Sequence, residues 1–390
     1  MPTLPVYLDN HSTTRPDPRV VEAMLPYFTT LWGNAASLSH KYGWDASDAV
    51  DLARERVAAL IGAEAREIVF TSGATESNNL AIKGVVPGLK AKGNHLVTAA
   101  NEHKAVLDPI KRLTREGFEA TIVAPDEYGR VAVKNVESAL QDRTILVSIM
   151  AANNEVGTIN QVSEIGRLCR ERRVFFHSDA TQAVGKIPFD VREIPVDLVS
   201  FTAHKLHGPK GIGALYVSRR CQAKLVPLFD GGGHERGIRS GTLAVPLIVG
   251  FGVAAEIAKT ERDEEAKRIR SLRDRLHETL LAKLEGVRLN GHPTERLPGN
   301  LNVSFEGVDG EALMMSLRDI AVSSGAACTS ANPEPSHVLR SMGVAEEVAR
   351  ASLRFGLSRF TTAEEVDFAA ERVVEAVTRL RGVDRHEDVR

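Results

Sequence analysis

Seven short apolar segments between residues 67 and 217 constrain the fold of this 390-residue chain more than any other feature. Amphipathic, helix-like pieces such as EIGRLCRERR and VKNVESALQD separate them. Segments that are apolar throughout suit strands that are covered on both faces. The alternation therefore predicts an α/β fold built on a doubly wound, mostly parallel sheet. The segments are EIVFT, HLVTAA, EATIVA, TILVSIM, RVFFHSD, DLVSFT and GALYV.

The pattern changes after the glycine-rich sequence GGGHERGIRSGT. A long charged helical pattern covers roughly residues 254–285, and the rest of the chain mixes a few strands with helices. This mixture predicts a second, smaller α+β domain. We predict a large α/β domain over residues 16–256. The small domain is then formed by residues 1–15 and 257–390.

Composition and charge exclude several classes of protein. The formal net charge is −2 with interleaved signs, so no basic face for direct nucleic-acid binding is expected. The three cysteines are far apart and form no CxxC pair, which favours a reducing compartment. The start MPTLPVYLDN is unlike a signal peptide. The apolar stretch GTLAVPLIVGFGVAAEIA is short for a membrane span, carries Pro246, Gly250 and Gly252, and is predicted to form a buried helix. We therefore expect a cytoplasmic protein without a membrane segment.

Polar residues follow five of the predicted strands. SGATESNN, NEH, AANNE, SDATQ and AHK come directly after EIVFT, HLVTAA, TILVSIM, RVFFH and DLVSFT. A single polar residue in such a place is more often a turn or a helix cap. Ligands of open α/β sheets, however, bind beyond the carboxyl ends of the strands. Five such ends together predict a binding site at one edge of the sheet.

The residue types at these ends match one cofactor. Lys205 near apolar walls can act as a nucleophile or base. Asp179 follows a strongly apolar strand and needs a partner for its charge. TSGATES opens a helix, so it is suited to bind phosphate, or it is simply an N-cap completed by Glu76. Pyridoxal phosphate (PLP) requires a lysine, an acidic partner for its ring nitrogen and a phosphate cup. No Walker A, GxGxxG or HExxH motif is present, and the twelve histidines lack metal-ligand spacing.

The chain as a whole resembles the IscS/NifS-type cysteine desulfurases, from about residue 6 to 381. These are enzymes of the PLP-dependent transferase fold (aminotransferase fold type I) and of the class V aminotransferase family. The loop SSGAACTS resembles that of the long-loop group. The other motifs that carry the resemblance are YLDNHSTT, GNAASLSHKYG, EIVFTSGATESNNLAIKG, NEHKAVL, NNEVG, HSDATQAVGK, TAHKLHGPKGIGALYV, GGGHERGIRSGT, NVSFEGVDGEAL and RFGLSRFTT.

The resemblance implies a role for each matching residue. Lys205 would carry the cofactor and His103 would stack on its ring and help proton transfer. Arg354 and Asn154 would bind the substrate carboxylate, and Thr242 would reach the phosphate of the partner subunit in a homodimer. The remaining cofactor contacts implied by the resemblance are Asp179 at the ring nitrogen, Gln182 and Asn154 at the ring, and Ala74, Thr75, Thr202 and His204 at the phosphate.

The same resemblance gives Cys328, in the loop 323–336, the role of sulfur nucleophile and carrier. L-cysteine would yield L-alanine and a persulfide on Cys328. The sulfur would pass to acceptors for iron–sulfur cluster assembly or tRNA thiolation, such as a scaffold protein on which Cys328 could transiently ligate iron. From the residues alone, an incidental surface thiol explains Cys328 equally well. Pro333 and Pro335 disfavour a helix there.

The sequence departs from the family pattern at three places. TAHK has Thr202 and Ala203 where relatives usually show Ser and Gly or Ser. STT at residues 12–14 replaces the commoner ATT, and the tail after RLRG is short. Two alternatives remain open: another PLP lyase or aminotransferase, resembling selenocysteine lyase or kynureninase, and an interaction protein of this fold that has lost its chemistry.

Overall fold

The computed structural model describes residues 2–324 and 335–387, with side chains through residue 382. The described residues form twelve β-strands and thirteen α-helices. The strands are β1 (Val6–Tyr7), β2 (Ile68–Thr71), β3 (His95–Ala99), β4 (Glu119–Val123), β5 (Thr144–Ser148), β6 (Phe175–Asp179), β7 (Leu198–Thr202), β8 (Gly213–Val217), β9 (Val287–Asn290), β10 (Asn300–Phe305), β11 (Ile320–Ala321) and β12 (Ser352–Gly356). The helices are α1 (Pro18–Met24), α2 (Pro26–Thr29), α3 (Lys41–Leu60), α4 (Ala74–Leu89), α5 (Lys104–Thr114), α6 (Val133–Ala139), α7 (Val162–Glu171), α8 (Arg219–Gln222), α9 (Val245–Lys283), α10 (Gly310–Ser316), α11 (His337–Ser341), α12 (Glu346–Arg350) and α13 (Ala363–Glu387).

The seven predicted strands form one sheet, in the order β2-β8-β7-β6-β5-β3-β4. Strands β4, β3, β5, β6 and β7 are parallel, as predicted. Strand β8 is antiparallel to both of its neighbours. A short connection suffices between antiparallel strands, and only residues 203–212 join β7 to β8. The sheet is therefore mostly parallel, with a single reversed strand among those described.

Both faces of this sheet are covered, which explains why its strands are apolar throughout. On β3, Leu96 packs into a cluster with α4 and α5, whereas Val97 packs into a cluster with α3, α7 and α9. On β2, Val69 and Phe70 divide between the same two clusters. Successive side chains of a strand point to opposite faces, so each cluster receives every second residue. The doubly wound arrangement that the sequence predicted is confirmed.

A second apolar core lies on the three-stranded antiparallel sheet β12-β10-β9. Helix α9 contributes to both cores: its residues up to Ala258 pack on the large sheet, and Leu272, Leu276 and Leu280 pack on the small one. This change along α9 supports the proposed division near residue 256, which remains a prediction.

Helix α9 begins at Val245, within the apolar stretch, and continues through the charged helical pattern predicted from about residue 254. Pro246 lies in the first turn, where the missing N–H costs nothing. Gly252 lets α3 approach closely, because a Cβ there would lie 2.6 Å from the Cα of Ala53. Its glycines and proline are thus compatible with one continuous helix. No described helix is long and apolar enough to cross a membrane.

The N-terminal strap, residues 9–14, connects the two cores. Its Asn10 N–H donates to the Gly356 carbonyl on β12 at 3.2 Å. At the other end, the Thr14 N–H donates to the His204 carbonyl at 3.1 Å, just beyond β7. The strap therefore crosses from the small sheet to the large one directly beside Lys205.

Candidate active site

A cavity of about 510 Å³ lies beyond the carboxyl ends of β3, β5, β6 and β7. This volume is in the range of small-molecule sites. Ten of the residues predicted from the sequence line it together. They are Ala74, Thr75, His103, Asn154, Asp179, Gln182, Thr202, His204, Lys205 and Arg354.

Asp179 is the last residue of β6 and is only 6% exposed. The Asn78 side-chain amide donates to its Oδ2 at 2.7 Å, and the Thr181 N–H donates to its Oδ1 at 3.0 Å. These two bonds hold the carboxylate in one orientation and leave further lone pairs for a cationic partner. Asp179 can therefore pair with a protonated ring nitrogen.

His103 is both a helix cap and a member of the cavity wall. It precedes α5, and its Nδ1 accepts the Ala105 N–H at 3.0 Å. The neutral ring must then carry its proton on Nε2. His103 is therefore a helix cap, as is common for a polar residue that follows a strand. This does not exclude a functional role, because capping fixes the ring beside the cavity.

Lys205 ends a short 3₁₀ turn, Ala203–Lys205, that follows β7. Its Nζ donates to the carbonyl oxygens of His11 and Ser12 in the N-terminal strap. The strap thus holds the amine at the edge of the cavity. No local sequence pattern indicates this contact, since the partners are about 190 residues apart in the chain.

A second amine, that of the half-buried Lys186, lies close to Lys205 and was not singled out from the sequence. Its Nζ donates to the Gln182 side-chain oxygen at 2.5 Å. Burial, together with the positive charges of Lys205 and Arg354, holds the pKa of Lys186 well below its ordinary value. Lys186 lines a smaller neighbouring cavity that also includes Lys205.

The N-terminus of α4 is suited to bind a phosphate. The helix begins after Gly73 without a side-chain cap, and its first two residues, Ala74 and Thr75, line the cavity. Glu76 caps the preceding loop instead, accepting the Ser72 N–H at 2.7 Å. Gly213 on β8 supports this loop, because a Cβ there would lie 2.7 Å from the Gly73 backbone.

Two polar side chains complete the phosphate end of the cavity. Burial, and to a smaller extent the positive charge of Lys205, lowers the pKa of His204 to about 4, so its ring is neutral near pH 7. The Thr202 hydroxyl donates to the Ile212 carbonyl at 2.9 Å. Its oxygen remains an acceptor, and the hydroxyl can turn toward a phosphate only by leaving Ile212.

Arg354 on β12 closes the opposite side of the cavity, and its side chain is 5% exposed. Its Nη2 donates to Asp9 Oδ1 at 2.8 Å and to Ser12 Oγ at 2.7 Å. Its Nη1 donates to the Asn154 carbonyl at 3.2 Å. A guanidinium fixed in this way is suited to recognise a carboxylate.

Several buried polar atoms in the wall have no hydrogen-bond partner among the described residues. An unsatisfied buried group costs roughly 1–3 kcal/mol, so their clustering points to a polar ligand. PLP, with its ring nitrogen, ring oxygen and phosphate, fits this distribution of donors and acceptors. The atoms are His11 Nε2, Asn78 Oδ1, Thr181 Oγ1 and Arg354 Nε.

Two predicted residues are not in this wall. Thr242 is exposed and does not line the cavity of its own chain. Cys328 lies outside the described residues. Among the residues that are described, no group of three or more His, Cys, Asp and Glu side chains could hold a metal ion.

Comparison with known proteins agrees with this geometry. The family model "Aminotransferase class-V" matches residues 6–368. Cysteine desulfurase IscS of Anaeromyxobacter dehalogenans (strain 2CP-C) is 59% identical over 378 residues, which are 97% of this chain and 94% of that protein.

Solved structures give the same result. A NifS-like protein superimposes with a TM-score of 0.90 at 40% identity, covering 96% of this chain and 100% of its own. SspA in complex with cysteine superimposes with a TM-score of 0.83 at 36% identity, covering 92% of this chain and 100% of its own. The chain therefore belongs to the class V aminotransferases, in the group of the IscS/NifS-type cysteine desulfurases.

Proposed function

We propose that this protein is a PLP-dependent cysteine desulfurase, which converts L-cysteine to L-alanine and leaves the sulfur as a persulfide on Cys328. The observation that carries the proposal is the convergence of Lys205, Asp179, His103 and Arg354 on one cavity. The 59% identity to an IscS desulfurase over nearly the whole chain supports the same activity.

The residues of the cavity divide between holding the cofactor and binding the substrate. When bound, PLP supplies the electron sink for chemistry at the substrate Cα. Asp179 would keep the ring nitrogen protonated, and His103 would stack on the ring. Gln182 would hydrogen-bond the ring. The N–H groups of Ala74 and Thr75, together with Thr202 and His204, would hold the phosphate.

The steps on the substrate follow from the opposite wall. Arg354 and Asn154 bind and orient the carboxylate of L-cysteine. Lys205, released from the carbonyls of His11 and Ser12, takes the Cα proton and later returns a proton to the product. The thiolate of Cys328 attacks the substrate sulfur, so the S–S bond of the persulfide forms as the C–S bond breaks.

The activity is tested by incubating purified, cofactor-loaded protein with L-cysteine and a reductant. We expect alanine and sulfide in equal amounts, because each turnover releases one of each once the persulfide is reduced. Pyruvate and ammonia accompanying the sulfide would indicate an elimination lyase instead. Absence of sulfide from cysteine, with turnover of selenocysteine or kynurenine, would favour the alternative interpretations.

We also propose that the protein acts as a homodimer, in which Thr242 of each subunit contacts the phosphate bound by the other. Thr242 is exposed in the single chain, but its loop is anchored. Arg54 pairs with Glu235 through two bonds of 2.6 and 2.7 Å, and Arg239 pairs with Glu76 at 2.7 Å. Several large apolar side chains between residues 28 and 44 are also exposed and suit a subunit interface. They include Phe28, Trp32, Leu38, Tyr42 and Trp44.

Thr242→Ala is expected to weaken cofactor binding about tenfold, the equivalent of one phosphate hydrogen bond of roughly 1.4 kcal/mol, without changing the sedimentation coefficient. Mixed dimers give the decisive comparison. A Thr242→Ala subunit paired with a Lys205→Ala subunit has one site with both Lys205 and the partner's Thr242, so that site should bind PLP normally. If the mixed dimers contain no site that binds PLP with native affinity, Thr242 does not act across an interface.

We further propose that Cys328 passes its sulfur to an acceptor protein in the cytoplasm, such as an iron–sulfur scaffold or a tRNA-thiolation protein. Cys169 and Cys221, the two cysteines that the structure describes, are free thiols, as expected in a reducing compartment.

A further inference from the structure

The N-terminal strap contacts both catalytic ends of the cavity through adjacent residues. The carbonyls of His11 and Ser12 accept from Lys205, and the hydroxyl of Ser12 accepts from Arg354 at 2.7 Å. Ser12 also lines the cavity. It is therefore placed where the carboxylate of a bound amino acid would meet Arg354.

The guanidinium of Arg354 is largely occupied before any substrate arrives. Its Nη2 has two protons but faces three oxygens: Asp9 Oδ1 at 2.8 Å, Ser12 Oγ at 2.7 Å and Ser323 Oγ at 3.2 Å. A guanidinium can bind a carboxylate with two parallel bonds through Nη1 and Nη2 or through Nε and Nη2, and both of these edges include Nη2. A carboxylate cannot form such a pair here without sharing Nη2, so it needs another donor.

Ser12 and Ser323 differ in what they can offer as that donor. The Ser323 hydroxyl donates its proton to Asp9 Oδ1 at 2.9 Å, and Ser323 does not line the cavity. None of the described residues takes the proton of the Ser12 hydroxyl. A hydroxyl that accepts one bond still has its own proton to donate.

We propose that Ser12 is a second ligand of the substrate carboxylate: its oxygen accepts from Arg354 while its hydroxyl proton is donated to the carboxylate of L-cysteine. Because the hydroxyl is neutral, it can lie between the carboxylate of Asp9 and the carboxylate of L-cysteine without being repelled by either. Ser12 then helps to select substrates that carry a carboxylate. This inference rests on the proposed function, since the substrate it names is L-cysteine.

The test compares ligands with and without a carboxylate on the cofactor-loaded enzyme. 3-Mercaptopropionate carries the carboxylate and thiol of cysteine, and cysteamine carries the amine and thiol. Ser12→Ala is expected to raise the KM for L-cysteine and the Ki for 3-mercaptopropionate about five- to tenfold, the loss of one hydrogen bond to a charged group. The Ki for cysteamine should not change, and Ser12→Thr, which keeps a hydroxyl, should retain the native Ki for 3-mercaptopropionate.

Ser323→Ala is the matched control, because it removes a hydroxyl from the same guanidinium nitrogen. Its effect on the Ki for 3-mercaptopropionate should stay below about twofold. Two results would overturn the proposal: Ser12→Ala and Ser323→Ala raise the Ki for 3-mercaptopropionate equally, or Ser12→Ala weakens the binding of 3-mercaptopropionate and cysteamine equally. Either result would mean that Ser12 only positions Arg354. If the native enzyme released no sulfide, the proposed function would be wrong. The Kd of 3-mercaptopropionate for the native and variant proteins, measured by isothermal titration calorimetry in place of Ki, would still decide the role of Ser12.

Discussion

Replacing Cys328 with alanine is expected to lower the release of alanine and sulfide from L-cysteine by at least about a thousandfold, as is typical when a catalytic nucleophile is removed. The same variant should continue to exchange the Cα proton of L-cysteine with solvent deuterium, because Lys205 and not Cys328 moves that proton. Proton NMR of recovered cysteine measures the exchange, and mass spectrometry of the loop peptide measures the persulfide.

The two described cysteines cannot replace Cys328 in this reaction. Both are buried in apolar clusters of the large domain. Burial raises the pKa of Cys169 to about 12 and raises that of Cys221 as well. Neither thiol is ionised near neutral pH, and the thiolate is the nucleophile.

Cys169→Ala supplies the control for the loss of a thiol as such. It should keep desulfurase activity, since Cys169 lies on α7 and does not line the cavity. Native rates of alanine and sulfide formation by Cys328→Ala would contradict the persulfide step. The protein would then be a simpler PLP lyase.

The sheet and most of its site could be predicted from the sequence because both depend on local patterns. A strand that is buried on both faces can be recognised from its continuous run of apolar residues. The direction of the strand then places the residue that follows it at the edge of the sheet where ligands bind. For this reason His103, Asp179 and Lys205 were brought together correctly from positions that are up to about 100 residues apart. The antiparallel direction of β8 was not predicted, since an apolar segment carries no mark of its direction.

The N-terminal strap could not be predicted, because nothing in its own sequence shows where it goes. Its functional contacts join residues 9–14 to Lys205 and Arg354, far away in the chain. The sequence did show STT in place of ATT, which was the only signal that could have pointed to Ser12. The role proposed for Thr242 also depends on contacts outside the single chain. In the sequence, Lys186 is indistinguishable from an ordinary surface lysine.

Lys205→Ala is expected to abolish both product formation and Cα deuterium exchange, each by at least about ten-thousandfold, because the base and the covalent attachment point of the cofactor are lost together. This result would distinguish Lys205→Ala from Cys328→Ala, which should lose product formation but keep the deuterium exchange. Lys210→Ala is the matched control: Lys210 lines the same cavity but is exposed, and its removal should preserve the exchange. Exchange at the native rate in Lys205→Ala would remove Lys205 from the mechanism.

Lys186 makes this prediction a demanding one, because it is a half-buried amine near Lys205 and its lowered pKa favours the neutral, nucleophilic form. Its Nζ is held by the Gln182 oxygen and lines the smaller cavity, whereas Lys205 lines both cavities. Borohydride reduction of the loaded enzyme, followed by peptide mapping, should therefore place the pyridoxyl group on Lys205. Lys186→Met should leave that position labelled. Recovery of the label on Lys186 in the native protein, or its disappearance in Lys186→Met but not in Lys205→Ala, would transfer the catalytic role to Lys186.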